Sequence, residues 1–132
     1  MRYVLFALLI LSAPARAESG QASVDYGHVT PFDAPGFHGL VATGEKFDAK
    51  RIAVAHRWLP LRSMVMVIYR RRWMLAEVVD RGPCLSDVCQ RSAPKRVRER
   101  ILDLTPSLAS KLRFPGLGRV TVVSLRMQEA AP

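Results

Sequence analysis

The sequence predicts a mainly β protein: a small closed barrel with one or two short helices. Three observations carry that reading. Apolar residues come in short strand-like runs, as in Met64, Met66 and Ile68 with Val65 and Val67 between them, and in RVTVVSLR at 119–126. Turn residues break these runs at short intervals, among them Gly39, Gly44, Pro60, Gly82-Pro83 and Gly116. One segment, ILDLTPSLASKL at 101–112, carries a clear helix start, with Thr105 as N-cap and Pro106 as first helical residue. Many short strands with little helix fit a barrel, which leaves no open sheet edge.

The chain opens with MRYVLFALLILSAPARA. Arg2 is a positive start, Tyr3 to Leu11 an apolar run, and Ala15-Arg16-Ala17 a small-x-small cleavage pattern. Residues 1–17 therefore read as a secretory signal peptide cut after Ala17, with the periplasm as destination. The run is too short for a membrane span, which needs roughly 20 apolar residues. No cysteine follows the cleavage pattern, so lipid attachment there is not expected. Residues 18–35, rich in Gly, Ser, Asp and Pro, read as an N-terminal arm with one early strand around Ala22 to Tyr26. The barrel is expected over 36–127 and a short tail over 128–132.

Within the barrel, GFHGLVATGEKFD (36–48) reads as loop with short extended pieces. RIAVAHRWLP (51–60) reads as a segment that starts with a helical turn and ends at Pro60. RSMVMVIYRRRWMLAEVVD (62–80) reads as two strands around a charged turn, Arg70-Arg71-Arg72. Residues 84–100 form an excursion whose cations, Lys95, Arg96, Arg98 and Arg100, read as a solvated basic face. Gly116 and Gly118 lie in the turn before the last strand.

The formal charge is +9. Removing residues 1–17 takes two arginines and no acid, leaving +7. A basic exported protein meets anionic lipid or anionic wall polymer sooner than nucleic acid, which is not expected as a partner. Cys84 and Cys89, spaced C-x4-C, are expected to pair in an oxidising compartment. A loop this short gains about 2 kcal/mol from closure. The pair would pin the segment after Asp80. Two cysteines make half a zinc site, and His28, His38 and His56 lack an obvious ligand spacing, so no metal or other cofactor is expected.

The carboxylates carry the chemistry. Asp80 ends an apolar strand, just before Arg81-Gly82-Pro83. Asp103 lies inside the apolar ILDL, where an acid is costly unless paired or functional. Each also has a plain structural reading: Asp80 as a turn cap, Asp103 as a buried partner of Arg81 or His56. Trp58 and Trp73 read as core or barrel-surface packing, with stacking on a sugar face as the alternative.

An ordered series of motifs then stands out. It runs Gly36-Phe37-His38-Gly39, Gly44-Glu45-Lys46-Phe47-Asp48, Ala55-His56-Arg57, Asp80-Arg81-Gly82-Pro83 and Ile101-Leu102-Asp103-Leu104. This series resembles the rare lipoprotein A family of septal-ring lytic transglycosylases. The resemblance covers about residues 36–126. It implies a six-stranded double-psi β-barrel, and cleavage of the β-1,4 bond between N-acetylmuramic acid and N-acetylglucosamine in peptidoglycan. The muramyl 6-hydroxyl would attack, leaving a 1,6-anhydro end. The resemblance marks Glu45, Asp48, His56 and Asp80 as functional positions and matches Asp103 to an acid that related barrels use. The sequence departs from the family pattern at Val41, where a threonine is usual, at the arginine turn 70–72, and in the inserted segment 84–100.

Asp80 and Asp103 are therefore the candidate catalytic pair, with Asp103 ahead as acid/base because its flanks are apolar. Glu45, Asp48, His56, His38 and Arg81 are candidate substrate-binding residues. The expected partner is the peptidoglycan glycan strand, the expected state a monomer, and a divisome or wall-anchoring partner is left open. A second reading keeps the groove without cleavage, as a wall-binding or wall-loosening module like the expansin barrels. A third, a secreted inhibitor or cationic toxin, would make every acid structural.

Overall fold

A computed structural model describes residues 15–27 and 39–125. Six strands close into a barrel: β1 (Arg16–Val24), β2 (Ala53–His56), β3 (Met64–Tyr69), β4 (Arg72–Asp80), β5 (Leu102–Leu104) and β6 (Leu117–Leu125), in the spatial order β1-β5-β2-β4-β3-β6. The mainly β barrel is as expected. Three short helices join it rather than one or two: α1 (Asp87–Ser92), α2 (Lys95–Arg98) and α3 (Pro106–Leu112). The two additional helices lie in the segment read as an excursion. Ser86 starts α1, its hydroxyl accepting the Cys89 N–H at 3.1 Å.

Alternation fills the interior. Val65 and Val67 of β3 point inward, as do Ala76 and Val78 of β4, Leu102 and Leu104 of β5, and Val120 and Val122 of β6. Leu108 and Leu112 of α3 and the following Phe114 complete the same core. Met64, Met66 and Ile68 take the half-buried outer face of β3. Thr105 and Pro106 start α3 where expected. The Thr105 hydroxyl, however, donates to the Arg51 carbonyl at 2.5 Å instead of capping the helix.

Two strands differ from expectation. Residues 53–56 are strand, not a helical turn. Val54 faces the core, while Ala53 on the other face packs with Val41, Val79 and Phe47. With both faces covered, β2 shows no alternation to read. The early strand β1 begins at Arg16 rather than near Ala22 and is a stave of the barrel. Its Ser19-Gly20-Gln21 stretch has little strand propensity, and antiparallel pairing with β6 from Arg16 to Ser23 holds it extended. Gly20 is needed there, because a Cβ would lie 2.8 Å from the Ile101 side chain. Ala15 of the expected leader precedes β1 and Arg16 and Ala17 open it; residues 1–14 lie outside the described residues.

Candidate active site

The barrel registers place the two candidate acids in one row. Asp80 of β4 pairs with Ala55 of β2, Ala55 with Asp103 of β5, and Asp103 with Ser23 of β1. Two strand spacings separate the acids, about 10 Å between backbones. Only the Ala55 methyl lies between them, so the row forms a shallow floor.

Asp80 reaches this face through a β-bulge. Val54 pairs with Val78 and Ala55 with Asp80, which leaves Val79 as an extra residue. In a regular strand Asp80 would share the inward face of Val78. The bulge turns it outward, beside Ala55. Asp103 needs no bulge, because Leu102 and Leu104 point inward and send it to the outer face. A depression covers this row, lined among others by Asp25, Phe47, Asp48, Arg51, Asp80 and Asp103. Its enclosed part measures about 20 Å³, room for little more than one water. A polymer would have to lie across its mouth.

Asp103 accepts the Ser23 hydroxyl at 2.8 Å and lies 3.5 Å from the Arg100 guanidinium, which also donates to Ser23 Oγ. Its partners are thus Arg100 and Ser23, not Arg81 or His56. Burial outweighs both and pushes its carboxyl up to about 6, aided by the negative charges of Asp25 and Asp80. Asp80 is also pushed up by burial, against N–H donation from Arg81 at 2.8 Å and Ala42 at 2.9 Å, both to Oδ1. Asp80 is therefore a loop tie and a groove wall together. Gly82, two residues on, has φ +129°, a conformation that favours glycine, and carries the chain off the strand.

The other expected residues divide. Asp48 lines the depression, its Oδ1 accepting the Lys50 N–H at 2.9 Å. Glu45 belongs to a four-charge ring: Arg51 bridges it at 2.9 Å to Glu77 at 2.6 Å, and Arg62 approaches the same two acids at 3.2 and 3.6 Å. The Thr43 hydroxyl and then Arg51 hold Glu45 below the usual carboxylate range, although burial acts the other way. His56 is fully buried; its Nδ1 accepts the Trp58 and Leu59 N–H groups, so the proton sits on Nε2 and is donated to Glu18 at 3.1 Å. Burial lowers its pKa. It orders the turn after β2 and does not face the depression. Arg81 donates to the His56 and Leu59 carbonyls at 3.3 and 2.6 Å and braces the same turn. His38 lies outside the described residues. Cys84 and Cys89 form the expected disulfide. Among the described residues, no cluster of His, Cys, Asp and Glu is arranged to hold a metal ion.

Three site residues were missed by sequence reasoning. Asp25 follows β1, lines the depression and accepts the Gly27 N–H at 2.7 Å. Gly27 (φ +72°) packs under Phe47, where a Cβ would lie 2.4 Å from the ring. An aspartate between a strand end and a glycine turn was the available signal. Ser23 and Arg100 are the other two. Arg100 is half-buried against Asp103, not part of a solvated basic face; Lys95, Arg96 and Arg98 are exposed as expected.

The family model described as lytic transglycolase, a double-psi β-barrel domain, matches residues 29–124. The chain belongs to this family. It is 34% identical over 89 residues to the endolytic peptidoglycan transglycosylase RlpA of two Pseudomonas aeruginosa strains. Those alignments cover 65% of this chain and 23% and 22% of the relatives, so the chain spans less than a quarter of their length. The Streptomyces papain inhibitor has the same fold at TM-score 0.57 and 20% identity, covering 84% of this chain and 96% of that one.

Proposed function

We propose that this protein cleaves peptidoglycan glycan strands by lytic transglycosylation, outside the cytoplasmic membrane where that polymer lies. The observation that carries the reading is the Asp80–Ala55–Asp103 row, in which two acids share one open face and one of them titrates near 6. Membership in the lytic transglycolase family and the similarity to RlpA supply the bond class.

In this reading Asp103 enters protonated and delivers its proton to the glycosidic oxygen as the bond from C1 of the muramyl residue breaks. The muramyl 6-hydroxyl oxygen forms the new bond to C1, and the Asp103 carboxylate takes the hydroxyl proton. The acid is regenerated and no water is consumed. The carboxylate separations that distinguish hydrolases therefore do not apply. Asp80, ionised, faces the positive charge that develops at C1 and positions the strand. Ser23 and Arg100 fix the Asp103 rotamer. Asp25 adds negative charge that favours the protonated acid.

The test is mass spectrometry of purified peptidoglycan, intact and stripped of stem peptides, digested in oxygen-labelled water. The reading predicts 1,6-anhydromuramyl ends without label. Labelled reducing ends would make the protein a hydrolase. Binding without new ends would make it a non-catalytic module.

A further inference from the structure

The hairpin joining β3 and β4 plays no part in the groove. It lies at the far end of β4, eight residues from Asp80, about 26 Å of extended chain. Its tip is Arg70-Arg71-Arg72, followed by Trp73. Two further arginines gather there. Ile68 pairs with Thr121, and continuing that register by two residues brings Arg119 alongside Arg70. Arg113 ends α3 next to Phe114, whose ring meets Tyr69 edge-on at 5.1 Å. All five arginines are exposed. Arg70 stacks over the Tyr69 ring at 5.3 Å. None of the five guanidinium groups forms an ion pair or hydrogen bond with another described residue.

Charge alone would suit any polyanion. The neighbouring apolar surface narrows the choice. Trp73 is 59% exposed and Leu75 44%, and both lie on the outer face of β4, beside Ile68 and Met66 of β3. A soluble polyanion uses the cations and leaves this apolar row in water. A bilayer surface uses both: arginines pair with phosphate oxygens, and an indole sits at the level of the headgroups. We propose that the Arg70–Trp73 hairpin tip, with Arg113 and Arg119, is a docking surface for an anionic phospholipid bilayer. The distance along β4 leaves the groove open while the tip is docked. This inference does not depend on the proposed cleavage reaction.

The test is co-sedimentation of the full chain with vesicles of phosphatidylglycerol and phosphatidylethanolamine, against vesicles of phosphatidylcholine. Binding is expected only to the anionic vesicles and should fall as salt rises. Each arginine near a charged surface contributes about a factor of five. The triple variant Arg70→Asn, Arg71→Ser, Arg72→Ser should then bind about a hundredfold more weakly; asparagine suits the φ of +55° at position 70. Circular dichroism of that variant should match the parent. In a Trp58→Phe background, Trp73 emission should shift to the blue on anionic vesicles, and Trp73→Ser should weaken binding severalfold. Equal binding to both vesicle types, or to neither, overturns the proposal. So does loss of binding to polyphosphate in the triple variant with vesicle binding unchanged, which would assign the tip to a soluble polyanion.

Discussion

The two ends of β4 treat charge in opposite ways. Around the groove every nearby arginine is committed to the protein. Arg51 and Arg62 neutralise Glu45 and Glu77, Arg81 braces the turn after β2, Arg57 donates to the carbonyls of Pro83 and Arg98, and Arg100 faces Asp103. What this leaves in the groove is carboxylate and one exposed lysine, Lys46, with Asp80 and Asp103 both pushed toward protonation by burial. At the hairpin the guanidinium groups have no hydrogen-bond or ion-pair partners among the described residues, and Arg70 only stacks on Tyr69. The net positive charge therefore says little about the groove. Cations paired inside the fold build it, and cations left outside are available to a second surface.

The largest expected effect is at the row itself. Asp103→Asn keeps the shape and removes the proton donor, and should lower the rate of anhydromuramyl formation about a thousandfold. Asp80→Asn should also reduce it strongly. Undiminished cleavage in both would dissolve the distinction between the two ends.

Arg100→Gln sharpens the comparison. Arg100 holds the Asp103 pKa down against burial, so its loss should move the alkaline limb of the rate profile to higher pH. The rate at the optimum should fall about tenfold, the scale of one charge-assisted hydrogen bond. A merely structural arginine would lower the rate without moving the limb.

Stability should show the cost of the buried acid. The Asp103 pKa is about 6 in the fold against 3.8 ordinarily. The folded state thus holds this proton more tightly than the unfolded one, and stability is lost as pH rises from about 4 through about 6. Asp103→Asn should therefore be more stable than the parent at pH 8, by about 2–3 kcal/mol, with the gain vanishing near pH 4. Denaturant unfolding at the two pH values measures it.

The smallest expected effect is at the tip. Arg71→Ser should change stability by no more than about 0.5 kcal/mol and leave cleavage of soluble glycan strands within about twofold. A larger loss would tie the hairpin to the groove.

Where one physical rule dominates, the sequence was enough. β3, β4 and β6 follow from strand-like apolar runs, the start of α3 from Thr105-Pro106, and the two acids from their position in apolar strands. Where the cause lies in neighbours, it was not. β2 is hidden because both its faces are covered, and β1 because β6 holds it extended. The bulge that turns Asp80 outward depends on register between β2 and β4. Ser23 meets Asp103 only because β1 lies parallel to β5, across 80 residues of sequence, whereas Arg100 is a local neighbour, three residues before Asp103, that was read with the exposed cations beside it.

The central claim is that Asp103 acts as a proton donor in a groove built for glycan. The most direct measurement is mass spectrometry of peptidoglycan digested by the parent protein at pH 5.5 and pH 8, and by Asp103→Asn at pH 5.5. Anhydromuramyl ends should be abundant from the parent at pH 5.5, scarce at pH 8 and nearly absent from the variant. Equal yields from parent and variant at pH 5.5, or no such ends from the parent at either pH, would contradict it.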